Sequence, residues 1–357
     1  YNEIVNLWNI TPAASQRTFI LAAPGHTPVI DGTGLGPSNF LVQVGQSDKM
    51  TIKGFTFRNL ESGIESALEF YYSHDCEVLN CTFQITGGRG VIVYFSDRAF
   101  IYANDIEGGI GVRHSSGTVI EHNRVYGSSA EGITIFADSV ECRCIGNEVY
   151  DNWSVNIYVD NSSYIVVDGN FVYITGDPAD HGNICGVMLA DEDYGYGPKI
   201  SHVEVTNNVM LNNSYGFRFW EGEYSSGSGL KYCSVINNTI VKSGGAAVSY
   251  DAGEHVGTVI SNNICVGEDA STKLLVAKST SGVILKHNLW YLPGETEPFY
   301  WAPSAYDYVD WKSVSGMGVG SVWSDPAFAG ELSLPVENLR LLPGSPAVDA
   351  GAAEGAP

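Results

Sequence analysis

An asparagine recurs along this chain at intervals of 19 to 38 residues, always in the same local setting. Apolar residues precede it and another apolar residue follows two positions later, as in VIEHNRV, CIGNEV, VTNNVM, VINNTI and VISNNI. Ten segments align on this position, which is occupied in turn by Phe55, Cys81, Asn104, Asn123, Asn147, Asn170, Asn208, Asn238, Asn263 and Asn288. A repeat of about 25 residues is typical of a solenoid, in which each repeat packs on its neighbours.

The chemistry of asparagine indicates which solenoid this is. Like residues of stacked coils lie about 4.8 Å apart along the axis. Asparagine accepts left-handed backbone geometry and bonds nearby backbone groups, and stacked amides can bond one another. Helical periodicity of 3.6 residues is absent. The sequence therefore predicts an all-β fold, a right-handed parallel β-helix of about ten to twelve coils. We expect one domain, with an N-terminal coil or cap over 1–49, regular coils over 50–290 and a C-terminal covering segment over 291–357.

A second strand, usually opened by glycine, precedes each repeat, as in GVIVYF, GITIFA and GFRFWE. Alternation predicts that Val91, Val93, Ile133, Ile135, Val187, Leu189, Phe217 and Phe219 face the interior. Outward side chains then form two columns, Ile92, Gly111, Thr134, Tyr158, Met188, Arg218 and Ala247 in one, and Tyr94, Arg113, Phe136, Asp160, Ala190, Trp220 and Ser249 in the other.

The seven cysteines show no CxxC or finger-like spacing. Several of them lie three or five residues before the repeat position, where side chains face inward, and Cys81 occupies that position itself. We expect free, buried thiols that pack as small hydrophobic groups.

The charge balance restricts the partners. Forty acidic and 18 basic residues give a net charge of -22, which disfavours nucleic acid and anionic membranes. Apolar runs of membrane-spanning length are missing, so we expect no membrane insertion. A neutral ligand fits this surface, as does an anionic ligand bridged by cations. Because the chain begins at Tyr1 rather than a methionine, we expect further chain upstream.

The two longest repeats carry acidic insertions, at 176–183, 190–199 and 220–229. Because insertions of stacked coils emerge on one face, we expect them to border a cleft. Paired carboxylates catalyse glycoside hydrolysis when they lie about 5 to 9.5 Å apart. The candidate catalytic residues are therefore Asp160, Asp191, Glu192 and Glu221, with Arg218 between them.

Other side chains near this predicted cleft suit binding. Aromatic rings stack on the apolar faces of sugars, and the candidate substrate-binding residues are Tyr158, Trp220, Tyr194, Arg113 and His181. The string DEDYG could instead hold calcium, with Asp191, Asp193 and Glu223 as ligands. No cofactor is otherwise required.

The repeats of the NNxI type, the opening segment PGHTPVIDGTG and the ending DPAFAGELSLPVENLRLLPGSPAVDAG resemble the secreted right-handed parallel β-helix repeat proteins of the pectate-lyase-like superfold. The resemblance covers essentially the whole chain. It implies an extracellular or cell-surface protein with a polysaccharide or oligosaccharide partner. It leaves activity open, because this superfold hosts lyases, glycosidases, epimerases, tailspikes and adhesins.

Three hypotheses follow. The first is a glycoside hydrolase that uses two of the candidate carboxylates. The second is a calcium-dependent polysaccharide lyase or uronate epimerase, in which Arg218 or Lys231 takes the C5 proton. The third is a non-catalytic carbohydrate-binding or adhesive domain.

Overall fold

The computed structural model describes residues 1–13, 15–36, 38–60, 64–182, 185–193, 195, 197–222, 226–268 and 272–352. The chain divides into two compact units, Tyr1–Val166 and Val167–Pro357. In each unit, short strands from successive coils pair in parallel, three strands to a coil. The predicted parallel β-helix is confirmed.

The first unit stacks its strands in three rows, named row 1, row 2 and row 3 in the order in which the chain visits them. Its strands are β1 (Val5–Trp8), β2 (Thr18–Leu21), β3 (Val29–Asp31), β4 (Ser38–Gly45), β5 (Met50–Lys53), β6 (Thr56–Arg58), β7 (Ile64–Tyr71), β8 (Glu77–Leu79), β9 (Thr82–Tyr94), β10 (Phe100–Tyr102), β11 (Asp105–Arg113), β12 (Val119–Glu121), β13 (Arg124–Tyr126), β14 (Ile133–Phe136), β15 (Arg143–Ile145), β16 (Glu148–Tyr150) and β17 (Ile157–Asp160). Row 1 contains β1, β4, β7, the ends of β9 and β11, β14 and β17. Row 2 contains β2, β5, β8, β10, β12 and β15. Row 3 contains β3, β6, the starts of β9 and β11, β13 and β16.

The second unit repeats this plan. Its strands are β18 (Val166–Asp168), which begins at the boundary, β19 (Phe171–Tyr173), β20 (Cys185–Ala190), β21 (Glu204–Thr206), β22 (Val209–Leu211), β23 (Tyr215–Trp220), β24 (Ser234–Ile236), β25 (Thr239–Val241), β26 (Ala246–Tyr250), β27 (Thr258–Ser261), β28 (Ile264–Val266), β29 (Lys273–Ala277), β30 (Val283–Lys286), β31 (Leu289–Tyr291), β32 (Phe299–Trp301), β33 (Ser304–Tyr306) and β34 (Val322–Trp323). Row 1 here contains β20, β23, β26, β29 and β32. Short 3₁₀ turns span Pro178–Asp180 and Val336–Leu339.

Strand alternation fills the interior as predicted. The inward residues of row 1 are fully buried, namely Val91, Val93, Ile133, Ile135, Val187, Leu189, Phe217 and Phe219. All seven cysteines are buried and free, and burial raises the pKa of the Cys76 thiol to about 12 and that of Cys233 to about 11. They pack as apolar groups, as expected.

The asparagine ladder runs through the bend between rows 2 and 3. In the second unit, the backbone N–H and the side-chain amide of Asn208 both donate to Oδ1 of Asn238, at 2.9 and 3.0 Å. Asn238 donates to Asn263 in the same way, and Asn104, Asn123 and Asn147 form an equivalent series in the first unit. The amide nitrogen of Asn238 also donates to the carbonyl of Val205. Each ladder residue thus supplies partners for buried backbone groups.

One detail of the predicted ladder was wrong. The left-handed residue at the bend is the one before the ladder asparagine, for example His122 (φ 54°), Asn207 (φ 56°) and Asn237 (φ 60°). The chain bends at that residue. The ladder asparagine therefore recurs for its hydrogen bonds rather than for its backbone geometry.

A second ladder, of serines, follows row 1 in the first unit. The backbone N–H of Ser47 donates to Oγ of Ser73, that of Ser73 to Ser96, and that of Ser96 to Ser115, at 2.9 to 3.0 Å. These serines are at most 3% exposed. The serine hydroxyl therefore accepts a backbone N–H of the preceding coil at this bend, as the asparagine amide does at the bend between rows 2 and 3.

The register of β26 differs from the prediction by two residues. Arg218 of β23 lies opposite Ser249, not Ala247, and Phe219 lies opposite Tyr250. A shift of two residues keeps each side chain on its predicted face, and Val248 and Tyr250 are fully buried in the core. Asp251, rather than Ser249, consequently follows the position of Trp220 in the second outward column.

The segment after Asn288 closes the end of the second unit. Strand β32 pairs antiparallel with β33, and helix α1 (Tyr308–Ser315) follows, capped by Asp307. The indole of Trp311 is buried and stacks on Phe299 with ring centroids 4.5 Å apart. Among the described residues, α1 and the other helical turns fall far short of a membrane-crossing helix.

We expect the substitution Asn238→Ala to lower the free energy of unfolding by about 2 to 4 kcal/mol, because the buried N–H of Asn208 and carbonyl of Val205 lose their partner. Urea unfolding at fixed pH measures the change. The control is Asn6→Ala, an exposed strand residue, which should change stability by less than about 0.5 kcal/mol. Equal losses for both variants would contradict the role given to the ladder.

Candidate functional site

The outward face of row 1 in the first unit presents one side chain per coil near the strand ends. In register, these positions hold Trp8, Gly45, Tyr71, Tyr94, Arg113 and Phe136. We call the four rings of Trp8, Tyr71, Tyr94 and Phe136 the aromatic strip. Five coil-to-coil steps give this column a length of roughly 24 Å.

Trp8 lies at the first coil, over the backbone of Gly45. A Cβ added to that glycine would be only 2.4 Å from Cε2 of Trp8, so the flat seat of the indole needs glycine there. The side chain is 40% exposed, and its ring centroid is 6.3 Å from that of Tyr71. Trp8 thus presents a ring face to solvent on a fixed seat.

A stack of rings borders the strip, at the left-handed positions that precede the serine ladder. Tyr72, Phe95 and His114 all have φ between 47° and 49°. Their rings are stacked, with centroids 4.8 Å apart for the first pair and 4.7 Å for the second. The bend geometry therefore aligns a second row of rings beside the strip.

Glu69 lies two residues before Tyr71 and is almost buried, at 9% exposure. The indole N–H of Trp8 donates to Oε1 of Gln43 at 2.8 Å, and Nε2 of Gln43 donates to Oε2 of Glu69 at 2.5 Å. Burial raises the pKa of Glu69, although the Gln43 hydrogen bond and the charge of Arg113 act in the opposite direction. The site thus holds an acid that binds its proton more tightly than an ordinary glutamate.

Two arginines frame Gly111 on this face. The Arg113 guanidinium lies 5.0 Å from the ring centroid of Tyr94 and 4.8 Å from that of Phe136. Arg89 lies against Gly111 from the other side and pairs with Glu131 at 3.1 Å. The prediction that Arg113 faces outward is confirmed by its register.

Two predicted site residues at the last coil of this unit are buried. Tyr158 lies opposite Thr134, at an outward position, yet is 6% exposed. Asp160 is 1% exposed, and its Oδ1 accepts a hydrogen bond from Asn161. Tyr158 and Asp160 are therefore buried, although strand alternation places both at outward positions.

In the second unit, the predicted catalytic carboxylate Asp191 has a structural position. It is fully buried. Oδ1 accepts the N–H groups of Lys199 and Ile200 at 2.7 and 2.9 Å, and Oδ2 accepts from Ser228 and Gly229 at 3.1 and 3.3 Å. This side chain therefore ties together two of the inserted loops, and it is buried rather than exposed in an open cleft as predicted.

The strand ends around Asp191 follow the predicted stacking. Ala190 lies opposite Trp220, and Gly222 packs so closely on the Asp191 backbone that an added Cβ would overlap the Asp191 carbonyl. Glu192, Glu221 and Trp220 are half-buried at this edge.

Arg218 is engaged with another acid. Its guanidinium is 3.9 Å from Oδ2 of Asp251, and Lys278 approaches Oδ1 of the same carboxylate at 2.5 Å. It also lies 4.9 Å from the ring centroid of Tyr215. Lys231 donates to the Gly227 carbonyl. Both proposed bases therefore have structural contacts.

The remaining predicted site residues are His181, Asp193, Tyr194 and Glu223. His181 is half-buried, and Asp193 is exposed with Oδ1 accepting from Gly195. Tyr194 and Glu223 lie outside the described residues. Over the described part of the chain, no three His, Cys, Asp or Glu side chains converge as metal ligands.

Four members of the first-unit face, Trp8, Gln43, Glu69 and Tyr71, were not among the residues predicted from the sequence. The signal was available, because the pairs Tyr71–Tyr72 and Tyr94–Phe95 occupy the same repeat position. Extending the outward columns upstream of Ile92 would have found them.

Removing Asp191 tests its structural role. We expect Asp191→Ala to cost about 3 kcal/mol or more of unfolding free energy, because several buried donors lose their acceptor. Asp193→Ala, the matched exposed acid two residues later, should cost less than about 1 kcal/mol. Chemical denaturation of both variants measures the difference, and a harmless Asp191→Ala would overturn the assignment.

Two family profiles match parts of the chain. One, described as periplasmic copper-binding protein (NosD), matches residues 15–176, and another, described as right handed beta helix region, matches residues 106–265. No curated protein matches the chain in sequence.

Solved structures share the fold at low identity. The mannuronan C-5 epimerase AlgE6 A-module of Azotobacter vinelandii has a TM-score of 0.59 at 13% identity, covering 91% of this chain and 84% of its own. The periplasmic alginate epimerase AlgG has a TM-score of 0.52 at 15% identity, with 70% of this chain matched to 61% of its length. An exopolygalacturonase from Thermotoga maritima has a TM-score of 0.51 at 13% identity, covering 76% of this chain and 73% of its own.

Copper does not fit the described side chains. The thiols are buried and free, and burial raises the pKa of Cys76 and Cys233 so that thiolate ligands are disfavoured. The described residues also contain no converging ligand set.

The repeats, the three rows of parallel strands, the family profiles and the structural likenesses agree on one description. This chain is a right-handed parallel β-helix repeat protein.

Proposed function

We propose that this protein is carbohydrate-active and holds a polysaccharide along the aromatic strip of its first unit. The observation that carries the proposal is the strip itself, four rings in axial register with Trp8 40% exposed and seated on Gly45. Sugar rings have apolar faces that pack on aromatic side chains, while their hydroxyls bond neighbouring polar groups.

The polar groups that such a ligand needs lie beside the rings. Glu69 and Gln43 occupy the outward column next to the strip, and Arg89 and Thr134 continue that side of the face. A chain of sugars laid along the helix axis would therefore meet rings on one side and hydrogen-bonding groups on the other. A site of this length suits an oligosaccharide segment rather than a single sugar.

The structural likenesses support a saccharide ligand. The similar structures are, by name, epimerases of alginate or mannuronan and an exopolygalacturonase. We also propose a location outside the cytoplasm, because the matching NosD profile and AlgG are both described as periplasmic.

For the reaction, we favour glycoside hydrolysis with Glu69 as the proton donor. A carboxyl group that retains its proton can pass it to the glycosidic oxygen as the bond to the anomeric carbon breaks and water supplies the hydroxyl. Burial raises the pKa of Glu69 in the direction this role requires. Glu192 and Glu221 of the second unit stay candidates for the same chemistry, since they lie at adjacent strand ends.

A binding comparison tests the proposal. We expect Trp8→Ala to weaken the affinity for a retained polysaccharide at least about fivefold, because a stacking platform worth about 1 kcal/mol or more is lost. The matched control is Trp153→Ala, which removes another tryptophan of the same unit that is 54% exposed and outside the strip. Affinity electrophoresis in gels containing neutral or acidic polysaccharides measures both.

Equal retention of the two variants would contradict the proposed binding face. Product analysis of the wild type then separates the reactions, since new reducing ends indicate hydrolysis and unsaturated sugars indicate elimination. Binding without any product would leave a non-catalytic carbohydrate-binding protein.

A further inference from the structure

We infer that the saccharide held on the aromatic strip carries an anionic group, a carboxylate or a sulfate ester, and that Arg113 is the residue that binds it. The inference rests on the proposed function and adds the chemical class of the ligand. Arg113 occupies the fifth of the six positions of the strip column, between Tyr94 and Phe136.

Arg113 differs from most other arginines of its unit in having no paired acid. Among the described residues, no carboxylate comes within ion-pair distance of its guanidinium, and its buried Nε has no hydrogen-bond partner. Two rings flank it instead. Most other arginines of the unit are paired, Arg17 with Glu77, Arg58 with Asp31, Arg89 with Glu131, and Arg98 with Asp75, at 2.7 to 3.1 Å. A partly buried guanidinium without an anion is costly unless a ligand completes it.

The two rings hold this cation in place. Tyr94 and Phe136 come from the strands on either side of β11, so the guanidinium is flanked along the helix axis. Cation–π contacts of this kind orient arginine without neutralising its charge. The planar donor group is thus preorganised, and its remaining N–H groups can meet a planar carboxylate or a sulfate.

Arg89 lies next to this position. Gly111, two residues before Arg113, has no side chain, and the Arg89 side chain lies over it: a Cβ added there would be 3.3 Å from Cδ and 3.6 Å from Nε of Arg89. The charge of Arg89 is already offset by Glu131 at 3.1 Å. Glu69 lies in the neighbouring outward column, that of Gly111, and is almost buried. Among the described residues, Arg113 is therefore the arginine of this face that has no acid within ion-pair distance.

Arg113 is a local positive charge on a protein that is acidic overall. The chain carries a net charge of -22, and such a surface repels polyanions at long range. Binding of an acidic polysaccharide accordingly needs a specific cationic contact. We expect that binding to strengthen with moderate salt, which screens the long-range repulsion, and to depend on Arg113 at contact.

The test uses matched pairs of polymers that differ in charge. Polygalacturonate is compared with its fully methyl-esterified form, and dextran sulfate with dextran, which separates a carboxylate ligand from a sulfate ligand. We expect the wild type to prefer one anionic member about tenfold or more, as a charge-assisted hydrogen bond allows. Arg113→Gln should remove that preference, so that the ratio of the affinities for the charged and neutral members falls to about one.

Two further variants keep the result interpretable. Arg113→Lys preserves the charge without the planar fork and should retain part of the preference. Arg143→Gln removes an exposed arginine on row 2 of the same unit and should leave the preference intact. Thermal melting confirms that each variant is folded.

Equal affinity of the wild type for charged and neutral members would overturn the inference and leave the proposed function standing. Full preference retained by Arg113→Gln would overturn the inference as well. If the wild type binds neither member of either pair, the proposed function fails and this inference fails with it.

Discussion

The hydrogen bond from one ladder residue to the next is the constraint on which this structure depends. A coil that turns inside a packed stack buries backbone N–H and carbonyl groups, and each must find a partner. The amide of Asn238 meets this need by accepting from Asn208 and donating to Asn263 and Val205. Because such a bond joins equivalent positions of successive coils, it also fixes their register. Serines fix the register at the bend after row 1 in the same manner.

A fixed register turns isolated outward residues into a continuous surface. Trp8, Gln43 and Glu69 come from three successive coils, yet they form one hydrogen-bonded series. Tyr94 and Phe136 hold Arg113 between them for the same reason. Each of these contacts would be lost if one coil slipped by a single residue, because every side chain of a strand would then change face. The ladders at the core and the site on the surface are thus two results of one alignment.

Much of this could be predicted from the sequence, because repeat position and strand alternation are local patterns. They correctly placed the inward pairs of row 1 and the outward position of Arg113. They did not give the register of β26, which depends on how many residues the preceding turn uses. They also could not show that Asp191 turns inward, since its partners Lys199 and Ser228 come from loops of irregular length. Burial of Tyr158 at an outward position likewise depends on tertiary packing.

The structure of a complex with an oligosaccharide tests the central claim most directly. Crystals soaked with an oligosaccharide taken from the best-bound polymer should show sugar rings along the column from Trp8 to Phe136, with an acidic group at the Arg113 guanidinium. Ordered sugar in the second unit alone, at the edge formed by Glu192 and Glu221, would contradict this claim. The aligned rings of the first unit would then be a by-product of coil stacking rather than a binding surface.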